Sequence, residues 1–116
     1  MIASGIRQVR AIDVHAHAGV CVDDDERTSR FMTGDGDRVA SLAAAAGTSI
    51  TCVSSLRALM PPGSCDAVAG NDEAAAMVAA DPRLRLWAVL DPRRPESYEQ
   101  VEQLIDAGNL DDADRL

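Results

Sequence analysis

Both histidines of the chain lie in one five-residue stretch, Asp13-Val14-His15-Ala16-His17. On an extended strand, residues i and i+2 project from the same face, about 7 Å apart along the backbone. Two imidazoles held in that way can converge on a single divalent cation, and neutral histidine is the commonest metal ligand. Zinc is the ion that two nitrogen donors suit first. Asp13 falls on the same face, one step deeper. There it can ligate weakly, or accept the second ring N–H of a ligating histidine and fix its tautomer. The plainer alternative is a pair of half-buried histidines hydrogen-bonded to loops at a strand end. Two histidines placed at random in a chain of this length fall two apart in roughly 2% of cases, which favours ligation.

Alternation within residues 11–17 sets Ile12, Val14 and Ala16 on one face and Asp13, His15 and His17 on the other, the pattern of a short strand. The polar residues 20–36 that follow read as a loop. Their acidic run, Asp23-Asp24-Asp25-Glu26, lacks the spaced arrangement of a calcium loop and reads as a solvated surface. Asp37 is expected to open a helix whose apolar side is Val39, Leu42, Ala43 and Ala46, with Gly47 as its stop. Residues 49–54 are short, apolar and β-branched, a buried strand containing Cys52 as a small hydrophobe. Residues 56–70, with Pro61-Pro62-Gly63, read as a loop. Asn71 is expected to cap a helix that stops at Asp81-Pro82. Residues 84–90 read as a third strand. Ser97 and Gln100 suggest a capping box for a last helix ending at Gly108, and residues 109–116 read as a frayed tail. Strand and helix alternate three times, so the expected fold is α/β with a parallel sheet built from βαβ units, in one domain spanning residues 1–116.

Composition narrows the function. The 116 residues are 47% hydrophobic and 26% charged, with a mean hydropathy of −0.09, which fits neither a disordered nor a membrane-spanning chain. A net charge of −8 repels phosphate backbones and disfavours nucleic-acid binding. Every base is arginine, so lysine chemistry is excluded. Arg27, Arg30 and Arg57 fall after the first two strands, at the same end as the histidines, where they can hold a substrate carboxylate through bidentate contacts. The three cysteines, Cys21, Cys52 and Cys65, form neither a disulfide framework nor a zinc-finger pattern. Cys21 follows His17 by four residues on a loop too free to count as a ligand. No secretory leader is evident, and the expected compartment is the cytoplasm. With only Phe31, Trp87 and Tyr98 as aromatics, the core must be aliphatic and rich in alanine.

Ile12-Asp13-Val14-His15-Ala16-His17 resembles the first-strand HxH signature of the amidohydrolase superfamily, especially its amidohydrolase-2 (aminocarboxymuconate-semialdehyde-decarboxylase-like) branch. Gly70-Asn71-Asp72-Glu73, Asp81-Pro82-Arg83-Leu84 and Asp91-Pro92 resemble the second helix and third strand of that branch, so the similarity runs over roughly residues 10–107. The resemblance implies a TIM (β/α)₈ barrel with a metal site at the C-terminal ends of its strands. It implies His15 and His17 as ligands of a divalent metal, foremost zinc. The ion would activate water against an amide, ester or related carbonyl of a small-molecule substrate. In the decarboxylase branch the substrate carboxylate approaches the metal instead. Such a barrel takes about 250 residues, and its later ligands are histidines and an aspartate on later strands, or a carboxylated lysine. This chain has no histidine beyond His17 and no lysine. The expectation is therefore an incomplete barrel of three strand–helix units, at most weakly catalytic alone. Two other readings stand beside it. One is a non-catalytic α/β fragment that self-associates or binds another chain through its open sheet edges. The other is a related barrel hydrolase such as a phosphoesterase.

Overall fold

The computed structural model describes residues 10–21, 25–32, 34–60 and 63–108. Three parallel strands, β1 (Ala11–Ala18), β2 (Thr48–Ser55) and β3 (Leu84–Leu86), form one sheet in the order β1-β2-β3. Between them lie α1 (Glu26–Met32), α2 (Gly36–Ala45), α3 (Leu56–Leu59) and α4 (Ala67–Ala80), and α5 (Glu96–Asp106) follows β3. The α/β alternation and the parallel pairing agree with the expectation from sequence.

Consecutive strands lie side by side, and one helix from each crossover, α2 and α4, packs on the same face. Ala18, Val53 and Leu84 from the three strands meet Ala40 of α2 in a single buried cluster, flanked by Val39 of α2 and by Met77 and Val78 of α4. Right-handed crossovers between sequentially ordered parallel strands produce this one-sided winding. Small residues make the layers close. A side chain at Gly70 of α4 would run into the Ala58 backbone, so α4 rides directly against α3. On β2, Val53 belongs to the helix-covered face, so Ile50, Cys52 and Ser54 stand on the opposite one.

A buried polar network fixes α4, α5 and the chain after β3. Asn71 is fully buried. Its Nδ2 donates to the Val89 carbonyl (2.9 Å) and to Gln100 Oε1 (3.0 Å), and its Oδ1 accepts from the Val89 amide (2.8 Å). Gln100 Nε2 donates in turn to the Val68 carbonyl (2.6 Å) and to Asp72 Oδ1 (2.9 Å). Among the described residues no buried side-chain polar atom lacks a partner.

Several boundaries differ from the sequence expectation. Asp35, not Asp37, caps α2, its side chain accepting from the Arg38 amide. Asp66 caps α4 five residues before Asn71, which lies inside the helix and serves the network instead. The expected third strand pairs only over Leu84–Leu86, because β2 turns into α3 at Leu56 and Asn71 takes both backbone groups of Val89. The loops at 20–36 and 56–70 contain α1, α3 and the first turn of α4. No capping box opens α5. The Ser97 hydroxyl accepts from the Asp91 amide, and Gln100 is drawn into the core. Gly47 and Gly108 do end their helices with positive φ, 88° and 75°. Leu42 points outward at 63% exposure, and Ala40 takes its place in the core. The expected frayed tail, 109–116, lies outside the described residues. Among them no helix is long and apolar enough to cross a membrane.

Candidate functional site

His15 and His17 occupy the C-terminal half of β1, which is an edge strand among the described residues. Their Nε2 atoms converge to 3.2 Å, with the rings edge-to-face and their centroids 5.0 Å apart. Two Zn–N bonds of about 2.0–2.1 Å at a tetrahedral angle separate the nitrogens by about 3.3 Å. The separation of the two nitrogens matches that of two corners of a zinc tetrahedron.

A bulge in β1 helps to aim it. Asp13 pairs with Thr51 and Ala16 with Val53, so Val14 and His15 together oppose the single residue Cys52. An extra residue of this kind bends a strand and redirects its side chains. It also breaks the strict alternation that would stack Asp13 beneath the two histidines. The register sets Asp13 beside Thr51, whereas His17 pairs with Ser54 on the other face. The Asp13 carboxylate accepts from the His15 backbone amide at 2.9 Å. Its role is to brace the bulge rather than to hold a ring nitrogen.

Ser54 takes the orienting place expected of Asp13. Its Oγ lies 2.8 Å from His17 Nδ1. When Nδ1 carries the ring proton and donates to Ser54, Nε2 presents its lone pair toward His15, which is the tautomer a cation needs. The hydroxyl serves the opposite tautomer equally well, and His17 Nε2 then donates to His15 Nε2. Partial burial, and secondarily the nearby His15, hold the His17 pKa below the ordinary histidine value. Both effects favour the neutral, ligating form. Ser54 is legible in the sequence only once β1 and β2 are known to pair in this register.

At the end of β1 the backbone turns sharply. Gly19 has φ +103° and exchanges two backbone hydrogen bonds with Gly34, at 2.7 and 3.2 Å. The Glu73 carboxylate of α4 fills the space a side chain at Gly19 would need, and its Oε1 accepts from the Val20 amide at 3.3 Å. The positive φ is what favours glycine here, since the Glu73 carboxylate is the far end of a flexible side chain.

The arginines are placed less tightly. Arg27 and Arg30 stand on α1, and the exposed Arg30 guanidinium is paired with Glu26 at 2.9 Å. Arg57 is exposed on α3, directly after β2, its amide bonded to Ser55 Oγ. None of the three hydrogen-bonds to the imidazoles. Of the acidic run, Asp23 and Asp24 lie outside the described residues; Asp25 braces the start of α1, accepting from the Arg27 amide and the Thr28 hydroxyl. Cys21 and Cys52 are both buried. Among the described residues, no third histidine, cysteine, aspartate or glutamate joins the pair to make a metal-binding group. Compared with known proteins, the chain matches no family, no curated protein and no solved structure.

Proposed function

We propose that the chain carries the first three strand–helix units of an amidohydrolase-like TIM barrel, with His15 and His17 as ligands of a divalent metal, zinc foremost. The reaction class is metal-dependent hydrolysis of an amide, ester or related carbonyl, or decarboxylation in the related branch. The observation that carries this reading is the 3.2 Å convergence of the two Nε2 atoms near the C-terminal end of a strand. Two features of the fold support it. Parallel strands in sequential order with helices on one face are what an arc of such a barrel requires, and the strand ends bearing the histidines are the ends where barrel enzymes work. The fit of the residues to zinc is good in donor type and spacing and incomplete in number.

A metal held there supplies Lewis acidity toward water and toward a substrate carbonyl or carboxylate. The chain's own contributions are the two imidazole lone pairs, the Ser54 hydroxyl that orients His17, and the Asp13 carboxylate that holds the bulge. Arg27, Arg30 and Arg57 are proposed as docking points for a substrate carboxylate.

Zinc-dependent hydrolysis of a chromogenic ester or anilide by the 116-residue chain tests the proposal. The expected rate is slow, below about 1 per second, and it disappears with His15→Ala or His17→Ala. A rate that ignores zinc, a rate that survives both substitutions, or a rate of about 1 per second or more counts against it.

A non-catalytic, self-associating α/β unit is the second reading. It is favoured by the outward-facing Ile12 and Val14 on the edge strand, at 58% and 61% exposure.

A further inference from the structure

The histidine pair shares its face of the sheet with an exposed indole. His17 pairs with Ser54 across β1 and β2, its Nδ1 lying 2.8 Å from Ser54 Oγ. On the other side of Ser54 stands Trp87. β2 and β3 pair as Cys52 with Arg85 and Val53 with Leu86. The Trp87 amide donates to the Val53 carbonyl at 2.9 Å, which carries the register one residue further and sets Trp87 beside Ser54. Leu84 lies with Val53 in the helix-covered cluster, so alternation puts Trp87 on the opposite face, with Ser54 and His17.

We infer that Trp87 is a specificity-determining residue of the site, its indole the platform on which a flat, ring-bearing substrate stacks while the carbonyl or carboxylate attached to that ring reaches the metal at His15 and His17. This inference rests on the metal reading above and names the substrate class within it.

Three observations carry it. First, Trp87 is 49% exposed, although it is the only tryptophan of a chain with just two other aromatics, Phe31 and Tyr98. A large ring left uncovered on the face that bears the site is available to a ligand. Second, among the described residues the one contact between aromatic rings joins His15 to His17, so no neighbouring ring covers the indole. Third, adjacent strands lie about 4.8 Å apart, so two steps across the sheet separate the Trp87 and His17 backbones by about 10 Å. One ring and the acyl group it bears can bridge that gap. The row His17–Ser54–Trp87 is fixed by the pairing of β1, β2 and β3 alone. A substrate held in this way approaches the metal from the open face and leaves room there for water, as hydrolysis requires.

Trp87 is the sole tryptophan, so indole emission reports this residue alone. The test titrates the chain with benzoate and with cyclohexanecarboxylate, which share the carboxylate and differ in flatness. Indole emission and calorimetric heat are followed in zinc and in EDTA, with zinc uptake measured alongside. With zinc, benzoate is expected to change the emission saturably and to bind at least about tenfold tighter than cyclohexanecarboxylate. In EDTA, or with His15→Ala, benzoate affinity falls at least about tenfold, because the carboxylate loses its cation. Trp87→Leu, followed by heat, keeps zinc uptake and loses the preference for benzoate, whereas Trp87→Phe retains it. The emission readout on the wild type stands even where a variant fails to fold. An emission that benzoate leaves unchanged, a preference that survives Trp87→Leu, or equal benzoate affinity in zinc and EDTA overturns the inference, while zinc uptake keeps the metal reading standing. No zinc uptake removes both.

Discussion

Ser54→Ala isolates the orienting hydrogen bond from the ligands themselves. The substitution deletes one oxygen at a half-buried position and leaves both imidazoles in place. In the wild type, Ser54 Oγ sits 2.8 Å from His17 Nδ1 and can hold the ring with Nε2 turned toward its partner nitrogen. Losing such an outer partner of a metal-binding histidine typically costs 10- to 100-fold in affinity. That corresponds to about 1.4–2.7 kcal/mol. The fold should change little, because Ser54 lies outside the buried cluster of Ala18, Ala40, Val53 and Leu84. The assay is a competition titration of zinc against a chromophoric chelator, with circular dichroism to verify folding. The expected result is affinity weakened at least tenfold at unchanged ellipticity. Ser54→Thr keeps the hydroxyl and should restore most of the loss. A folded Ser54→Ala protein that binds zinc within twofold of the wild type would refute the role assigned to this contact.

Three further outcomes follow from the structure. Asn71→Ala removes three hydrogen bonds and strands the Val89 amide in the interior, which should cost about 2–4 kcal/mol in urea unfolding; a loss under about 0.5 kcal/mol would sink the account of the network. The fold depresses the His17 pKa, so the unfolded chain binds the proton more readily as pH falls below 6.5. The His17 contribution to stability is present above that value and is lost as pH falls through the folded pKa, and zinc affinity falls in the same direction; His17→Gln should flatten the stability profile in that window, and an unaltered profile would contradict the assignment. The Arg83 guanidinium, bonded to Asp81 at 2.6 Å and to Asp37 at 3.2 Å, holds the Asp81 carboxyl down to about 2. That stabilisation is fully present above about 3.8 and is lost between there and about 2, so Arg83→Ala should move the acid-unfolding midpoint upward, with no difference between the proteins below that window.

The alternation of strands and helices was legible because it rests on local chemistry. Period-two patterning marked β1, a short β-branched run marked β2, and Asp81-Pro82 marked the end of α4. The histidine pair was legible for the same reason, since two side chains two residues apart on a strand must share a face unless a bulge falls between them. What escaped the sequence depends on contacts between distant segments. Asn71 resembles a helix cap in isolation, yet its partners, Val89 and Gln100, lie 18 and 29 residues away. Gly70 reads as the end of a loop but lies inside α4 and marks its close approach to Ala58. The bulge that takes Asp13 off the histidine face is a property of pairing with β2, and no pattern within residues 11–17 announces it. Ser54 becomes a partner of His17 only through that same register.

Zinc binding by the purified 116-residue chain, stripped of metal and titrated near pH 7.5, tests the central claim most directly. The account predicts saturable uptake, weakened at least about 100-fold by His15→Ala and by His17→Ala taken singly, because each removes one of two converging nitrogens. Uptake that both alanine variants retain in full, or none in the wild type, would contradict it.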